Sequence, residues 1–251
     1  MTILLNENYE ALRPFLERLP DIFEQQGETI YDARNKIKIL KSPLDGTPLC
    51  VKRYQVPRGI NRFVYSLGIR KAKGLRAYLY PQRLLEKGIE TPAPVAYLES
   101  RRAGLIGESY FVSLVCPYSH RMYEFGDAAE GTYEEFAAAF AAFTARLHEA
   151  GVMHLDYSPG NILWEKVGEN EYHFALVDIN RMHFGEVSVA EGCKNLKRLW
   201  GPKRFFCLIA RHYATCRGYD ADRAEAIALE ARRRFWTRYQ RKHEVKFTLE
   251  L

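Results

Sequence analysis

Val152-Met153-His154-Leu155-Asp156-Tyr157-Ser158-Pro159-Gly160-Asn161-Ile162-Leu163 is the stretch on which the reading of this chain turns. Residues 152–161 are loop-like, and an apolar strand follows them. Ala175-Leu176-Val177-Asp178-Ile179-Asn180 comes next, after a hairpin turn at Gly168-Glu169-Asn170. A preceding amphipathic helix is expected from Phe136, Phe140, Phe143 and Leu147, with Thr132 and Glu135 as a capping box and Gly151 as its end. A hairpin of 162–165 with 171–178 would bring Asp178 back beside the loop.

This arrangement suits phosphoryl transfer, which needs few groups placed closely. Asp156 is the candidate catalytic carboxylate, accepting the proton of an attacking hydroxyl. Asn161, five residues on, and Asp178 are the candidate metal ligands, hard oxygen donors for Mg²⁺ against nucleotide phosphates. A capped turn, with Asp156 and Asn161 satisfying backbone amides, is the plain structural alternative. His154 is read as a residue that holds the loop by hydrogen bonds, outside the catalytic set.

Working outward, the N-terminal part is strand-rich. A helix is expected over 7–25, then strands over Thr29–Ala33, Lys36–Leu40 and Pro48–Tyr54 in an antiparallel meander. A helix from about Lys71 to Lys87 stops at Gly88, and strands follow over Pro94–Glu99 and Ser109–Cys116. Beyond Pro117 the chain turns helical, with further helices over roughly 189–200, 203–217 and 221–242. The expected organisation is a nucleotide-binding lobe over 1–116 and a helical lobe over 117–251, with a cleft between them. Lys52, on the strand Leu49-Cys50-Val51-Lys52-Arg53-Tyr54, would project into that cleft to neutralise phosphates. A plain outward-facing strand lysine is the alternative.

Composition narrows the class. The chain has 251 residues, 47% hydrophobic and 13% aromatic, enough for a sizeable core and against disorder. Its five cysteines form no C-x-x-C pair, so neither a zinc site nor a disulfide framework is expected. No apolar run reaches membrane-span length, and the N-terminus lacks a basic n-region and an apolar h-region; the expectation is a cytosolic protein. The net charge is +6, and Lys52, Arg53, Arg58, Arg62, Arg70, Lys71, Lys73 and Arg76 fall in a run without a single acid. Such a run points to an anionic partner. A nucleic-acid binder would explain the basic runs but not the loop.

Lys52, the H-x-D-x-x-x-x-N loop and Asp178 resemble the protein-kinase-like superfamily. Val51-Lys52-Arg53-Tyr54, Asn61-Arg62, Arg70-Lys71-Ala72, Gly88-Ile89-Glu90-Thr91-Pro92-Ala93-Pro94 and Val177-Asp178-Ile179-Asn180-Arg181-Met182 are similar to the lipopolysaccharide core kinases. That resemblance implies an α+β, two-lobed fold: a small antiparallel-sheet lobe with one helix and a mainly helical second lobe. It implies a kinase using ATP and Mg²⁺, and an anionic glycolipid acceptor (lipid A-core) phosphorylated on Kdo or heptose. It also implies peripheral contact with the inner face of the inner membrane.

Three departures from the wider kinase pattern qualify the resemblance. No G-x-G-x-x-G lies between the first strands, so backbone amides or Arg34 would cover the phosphates. Leu155 stands where protein kinases carry an Arg, and no A-P-E follows Asp178; both turn the reading from a protein acceptor to a small-molecule or sugar acceptor. The helix position that should pair Lys52 with a Glu falls near Leu79, with Glu86 the nearest acid. The rivals are an aminoglycoside- or choline-type kinase, which the acid-free run opposes, and a pseudokinase, which Leu79 favours. Arg232-Arg233-Arg234-Phe235-Trp236 has two readings: contact with an anionic leaflet, or a helix face packed onto its own lobe.

Overall fold

The computed structural model describes residues 1–245, 247 and 249–251. The chain divides into two units. The first comprises Met1–Glu86 and Thr91–Pro117, the second Lys87–Glu90 and Tyr118–Leu251.

The first unit holds β1 (Thr2–Leu5), α1 (Arg13–Glu17), α2 (Leu19–Ile22), β2 (Glu28–Asp32), β3 (Lys36–Lys41), β4 (Pro48–Tyr54), α3 (Ile60–Ser66), α4 (Lys73–Leu85), β5 (Pro94–Arg102) and β6 (Leu105–Leu114). Its strands form a six-stranded sheet, ordered β1-β5-β6-β4-β3-β2, with every pairing antiparallel. Alternation along each strand sends successive side chains to opposite faces. Leu49 and Val51 of β4, with Ala96, Leu98, Tyr110 and Val112, line one face and pack under Leu12, Leu16, Leu19, Ile22 and Phe23. Lys38 is buried beneath α2, and its ammonium donates to the carbonyls of Phe23 (2.9 Å) and Glu24 (3.3 Å). Those carbonyls lie just past the helix end, where a cation is favoured.

Lys52 and Tyr54 lie on the opposite face, in register with Phe111 and Ser109 of β6. Ala72, Leu75 and Tyr78 pack there with Tyr97, Ile106 and Tyr65. The helix sits close: a Cβ added to Gly74 would stand 2.6 Å from the Tyr97 ring. Pro81 lies buried inside α4, and the helix runs through it with one hydrogen bond fewer.

The expected single helix over 7–25 is instead a 3-10 turn (Glu7–Leu12) followed by α1 and α2. Pro14 and Pro20 each stand in the first turn of a short helix, where the missing N–H costs least. Within this unit two elements, β1 and α3, were not anticipated. β5 and β6 also run further towards their turn than expected, to Arg102 and from Leu105.

The second unit holds β7 (His120–Arg121), α5 (Glu134–Glu149), β8 (Val152–His154), β9 (Ile162–Gly168), β10 (Glu171–Leu176), β11 (Met182–Phe184), α6 (Val189–Asn195), α7 (Lys203–Cys216) and α8 (Ala221–Gln240). β10-β9-β7 and β11-β8 are small antiparallel sheets. An aromatic cluster joins α5 to the hairpin: the Phe174 ring lies 5.6 Å from Phe136 and 5.0 Å from Phe143, centroid to centroid. The expected capping box does not form. Thr132 donates to Ala129 O, Glu135 pairs with Lys166, and Glu134 accepts from the Gly131 and Tyr133 amides instead. Of the C-terminal block, Arg232 and Trp236 are buried, so this face turns inward; Arg232 lies over the Phe206 ring and donates to Gly201 O at 2.8 Å. All five cysteines are free thiols.

A buried polar chain ties the helices together. Arg217 donates to the Tyr213 hydroxyl (2.9 Å), Tyr213 to His148 Nδ1 (3.0 Å) and His148 Nε2 to Asn195 Oδ1 (3.3 Å). The direction is set at its end, because the Asn195 amide donates to the carbonyl of His154 at 3.0 Å. Gly192 makes room for it; a Cβ there would lie 1.8 Å from the Tyr213 hydroxyl oxygen.

His148 must be neutral in this chain, and burial pushes its pKa down to about 4. An unfolded histidine titrates near 6.5, so between those values the unfolded chain binds the extra proton. The site's stabilisation is complete above about pH 6.5 and is lost as pH falls towards the folded value. Lowering pH from about 7.5 to about 5 should cost roughly 2 kcal/mol at this residue. Denaturant unfolding across that range should show the loss, and His148→Gln should flatten it.

Candidate active site

β8 delivers His154 to the start of the loop, paired in register with Met182 of β11. The imidazole is fully buried. Its Nδ1 accepts from the amide of Asp156 at 3.0 Å, and its Nε2 donates to the carbonyl of Val177 at 3.1 Å. An amide N–H only donates and a carbonyl only accepts, so the neutral Nε2–H tautomer alone satisfies both. Burial lowers the pKa of His154 and keeps the ring neutral. The residue after Asp156 is anchored too: buried Tyr157 shares a hydrogen bond with Thr144 Oγ1 (2.8 Å) and stacks on Phe140.

Asn161 closes the loop. Its amide nitrogen donates to the carbonyl of Asp156 at 2.9 Å, and its own carbonyl accepts from the amide of Val177 at 3.0 Å. Asp178 follows directly, with φ +52, a conformation that costs a non-glycine residue about 1–2 kcal/mol. The Asn180 amide donates to the Asp178 carboxylate. Direct hydrogen bonds thus bring together the segments carrying Asp156, Asn161 and Asp178.

The Asp156 carboxylate is flanked by two guanidinium groups, Arg198 Nη1 at 2.9 Å and Arg181 Nη1 at 3.5 Å. Arg198 is itself held over the Phe235 ring, 4.8 Å from the centroid. Arg181 and Arg198 were not singled out from the sequence. Arg181 lies within the motif quoted around Asp178, but only the tertiary fold turns it and Arg198 onto Asp156.

Asn161 and Asp178 offer oxygen donors, the chemistry of a hard divalent cation. With the Asn161 side-chain nitrogen engaged by Asp156 and its backbone oxygen by Val177, the side-chain oxygen Oδ1 is the atom suited to a metal. No group of three or more His, Cys, Asp or Glu suited to a metal occurs among the described residues. A cation here would draw its other ligands from phosphates and water, as magnesium does.

In the first unit, Lys52 stands on the face of the sheet that α4 covers, its ammonium 5.3 Å from the Tyr54 ring centroid. α4 itself contains no Asp or Glu, and Glu86 at its end accepts from Gln82 at 3.0 Å. Arg34, exposed in the β2–β3 turn, lines a pocket of about 310 Å³ with Asn35, Tyr54, Arg58 and Lys73.

An antiparallel sheet backed by one principal helix, and a helical unit whose His-x-Asp loop is closed by an Asp-bearing hairpin, define a two-lobed kinase-like fold of the α+β class. A solved structure, WaaP in complex with acyl carrier protein, has the same fold: TM-score 0.61, 17% identity, covering 97% of this chain and 100% of that one. The model of the Lipopolysaccharide kinase (Kdo/WaaP) family matches residues 60–205, more than half of the chain. The chain belongs to that family. No curated protein matches it.

Asn195 supports the loop from behind, serving both His148 and the His154 carbonyl. Asn195→Ala leaves two buried polar groups without partners. The expected loss is roughly 2–4 kcal/mol of stability, read from the urea midpoint.

Proposed function

We propose that this protein transfers the γ-phosphate of ATP to a sugar hydroxyl of the lipopolysaccharide lipid A-core, with Asp156 as the catalytic carboxylate. The observation that carries this reading is the Asp156 carboxylate set near the start of the His154-held loop and flanked by Arg181 and Arg198, in a chain of the lipopolysaccharide kinase family. Asp156 takes the hydroxyl proton as the sugar oxygen bonds to the γ-phosphorus. The bond to the β–γ bridging oxygen breaks, and ADP leaves with that electron pair. In this reading residues 1–116 bind nucleotide and 117–251 carry the reaction. Lys52 and Arg34 neutralise the nucleotide phosphates. Asn161 and Asp178 hold Mg²⁺, which supplies charge neutralisation for the phosphates. The strained φ of Asp178 fits a side chain held for such a role.

Arg181 and Arg198 address the acceptor. Guanidinium forks bind carboxylate and phosphate in two-point contacts. Next to the carboxylate that would orient the hydroxyl, they suit a sugar carrying its own acid, which favours Kdo over an unphosphorylated heptose. The exposed side chain of Leu155 beside Asp156 also suits a sugar acceptor rather than a phospho-regulated protein kinase. The reaction belongs to the cytosolic face of the inner membrane, where ATP and the core glycolipid meet.

Single-turnover transfer from ATP to purified core acceptor tests the assignment. Asp156→Asn should slow transfer by about 10²–10⁴-fold, the usual contribution of a positioned base. Transfer at the wild-type rate would overturn the role of Asp156. ATP binding without turnover on any acceptor would make the chain a pseudokinase.

Arg198→Ala removes the nearer of the two cations beside Asp156. KM for an acceptor bearing a free carboxylate should rise about tenfold or more, while KM for ATP stays within about twofold. The same acceptor with its carboxylate reduced to an alcohol should be indifferent to the substitution.

A further inference from the structure

α3 exposes more apolar bulk than a helix of a soluble unit usually does. Such helices bury an apolar stripe and expose polar residues. Here Arg62 and Ser66 face the sheet, with Tyr65 packed beside them, while Asn61 is exposed. Arg62 Nε donates to Ile106 O at 2.9 Å, Ser66 Oγ accepts from the Ile106 amide at 2.9 Å, and Arg101 Nη1 donates to Ser66 O at 3.0 Å. Four apolar residues face out: Ile60 is 78% exposed, Phe63 54%, Leu67 73% and Ile69 73%. Ile60, Leu67 and Ile69 are the three most exposed large apolar side chains among the described residues. Ile60, Phe63 and Leu67 stand at i, i+3 and i+7, one face of a helix. Four such side chains within ten residues form a patch rather than the scattered apolar residues normal on a surface.

The charge around the patch has one sign. No Asp or Glu occurs from Gly46 to Leu85, and exposed Arg58, Arg70 and Lys71 flank the four apolar residues. Because Arg62 and Ser66 are engaged inward, the outward face offers mainly apolar bulk and diffuse positive charge, with Asn61 its one exposed amide side chain. A protein partner is normally read by such directional contacts around an apolar centre. A lipid surface asks only for apolar insertion and cations near anionic headgroups.

We propose that the outward face of α3 with the following Leu67–Lys71 turn docks the protein on an anionic lipid bilayer. Ile60, Phe63, Leu67 and Ile69 enter the headgroup–acyl boundary, while Arg58, Arg70 and Lys71 meet lipid phosphates. No helix among the described residues is long and apolar enough to cross a membrane, so the contact is interfacial. Its test does not depend on phosphoryl transfer, and of the residues it uses only Arg58 also lines the pocket at Arg34.

Sedimentation of the full chain with vesicles tests it. The protein should partition onto vesicles of phosphatidylethanolamine and phosphatidylglycerol but not onto phosphatidylcholine alone, and added salt should weaken binding. The triple variant Ile60→Ser, Phe63→Ser, Leu67→Ser should lose about tenfold or more in partitioning. Separately, Phe63→Trp should show an emission shift to shorter wavelength, over the wild-type background, when the anionic vesicles are added. Three outcomes would overturn the proposal. The triple variant could bind as wild type does, or Phe63→Trp could show no shift. Sedimentation velocity without lipid could show the patch already covered in a self-associated form, or by an added acidic protein, that the triple variant abolishes.

Discussion

A single buried imidazole fixes the geometry of the second unit's loop. His154 takes the amide of Asp156 on one nitrogen and gives its proton to the carbonyl of Val177 from the other. One ring therefore sets both the residue that would receive a proton and the strand end that carries Asp178. Two buried backbone groups are satisfied by it, and leaving either unmade would cost about 1–3 kcal/mol. The arrangement works only while the ring is neutral, and burial ensures that it is. Behind it, Arg217, Tyr213, His148 and Asn195 form a relay of donors that ends on the carbonyl of the same residue. The position of the loop is thereby tied to the packing of α5, α6 and α7.

Electrostatics in front of the loop oppose the neutrality behind it. Asp156 faces Arg181 and Arg198, and Arg198 is braced on Phe235 of α8. That brace gives the C-terminal helix a part in the site. Phe235 and Trp236 turn towards the unit's own core with Arg232, which is buried over Phe206, while Arg233, Arg234 and Arg238 are exposed. Apolar and basic side chains meet solvent together elsewhere, on α3 and the residues flanking it.

What could be read from the sequence was the local part. The His-x-Asp loop, the hairpin after it and the helix before it follow from short-range spacing and turn residues, and all three are present, although the loop expected over 152–161 starts later because Val152–His154 pair with β11 as strand β8. The fold class followed from strand-rich and helical segments in succession. The long N-terminal helix was misread because its apolar spacing continues across Pro14 and Pro20, which start new short helices instead of being tolerated in one. β1 was missed because four residues at the chain start give too short an alternation. The capping box failed because the helix begins beyond Tyr133, leaving Thr132 outside its first turn. Arg198 lies on a different element from Asp156, and no local pattern joins residues that meet only in the tertiary fold.

The tautomer of His154 is the most direct probe of the geometry on which the site depends. Long-range ¹H–¹⁵N correlation spectra of the full chain, with the resonance assigned by its absence in His154→Asn, report which ring nitrogen carries the proton. A neutral ring protonated on Nε2, unchanged as pH is lowered from about 8 to about 6 through the ordinary histidine range, is the expected result. A proton on Nδ1, or an imidazolium forming near the ordinary histidine pKa, would contradict it, because neither can accept the amide of Asp156.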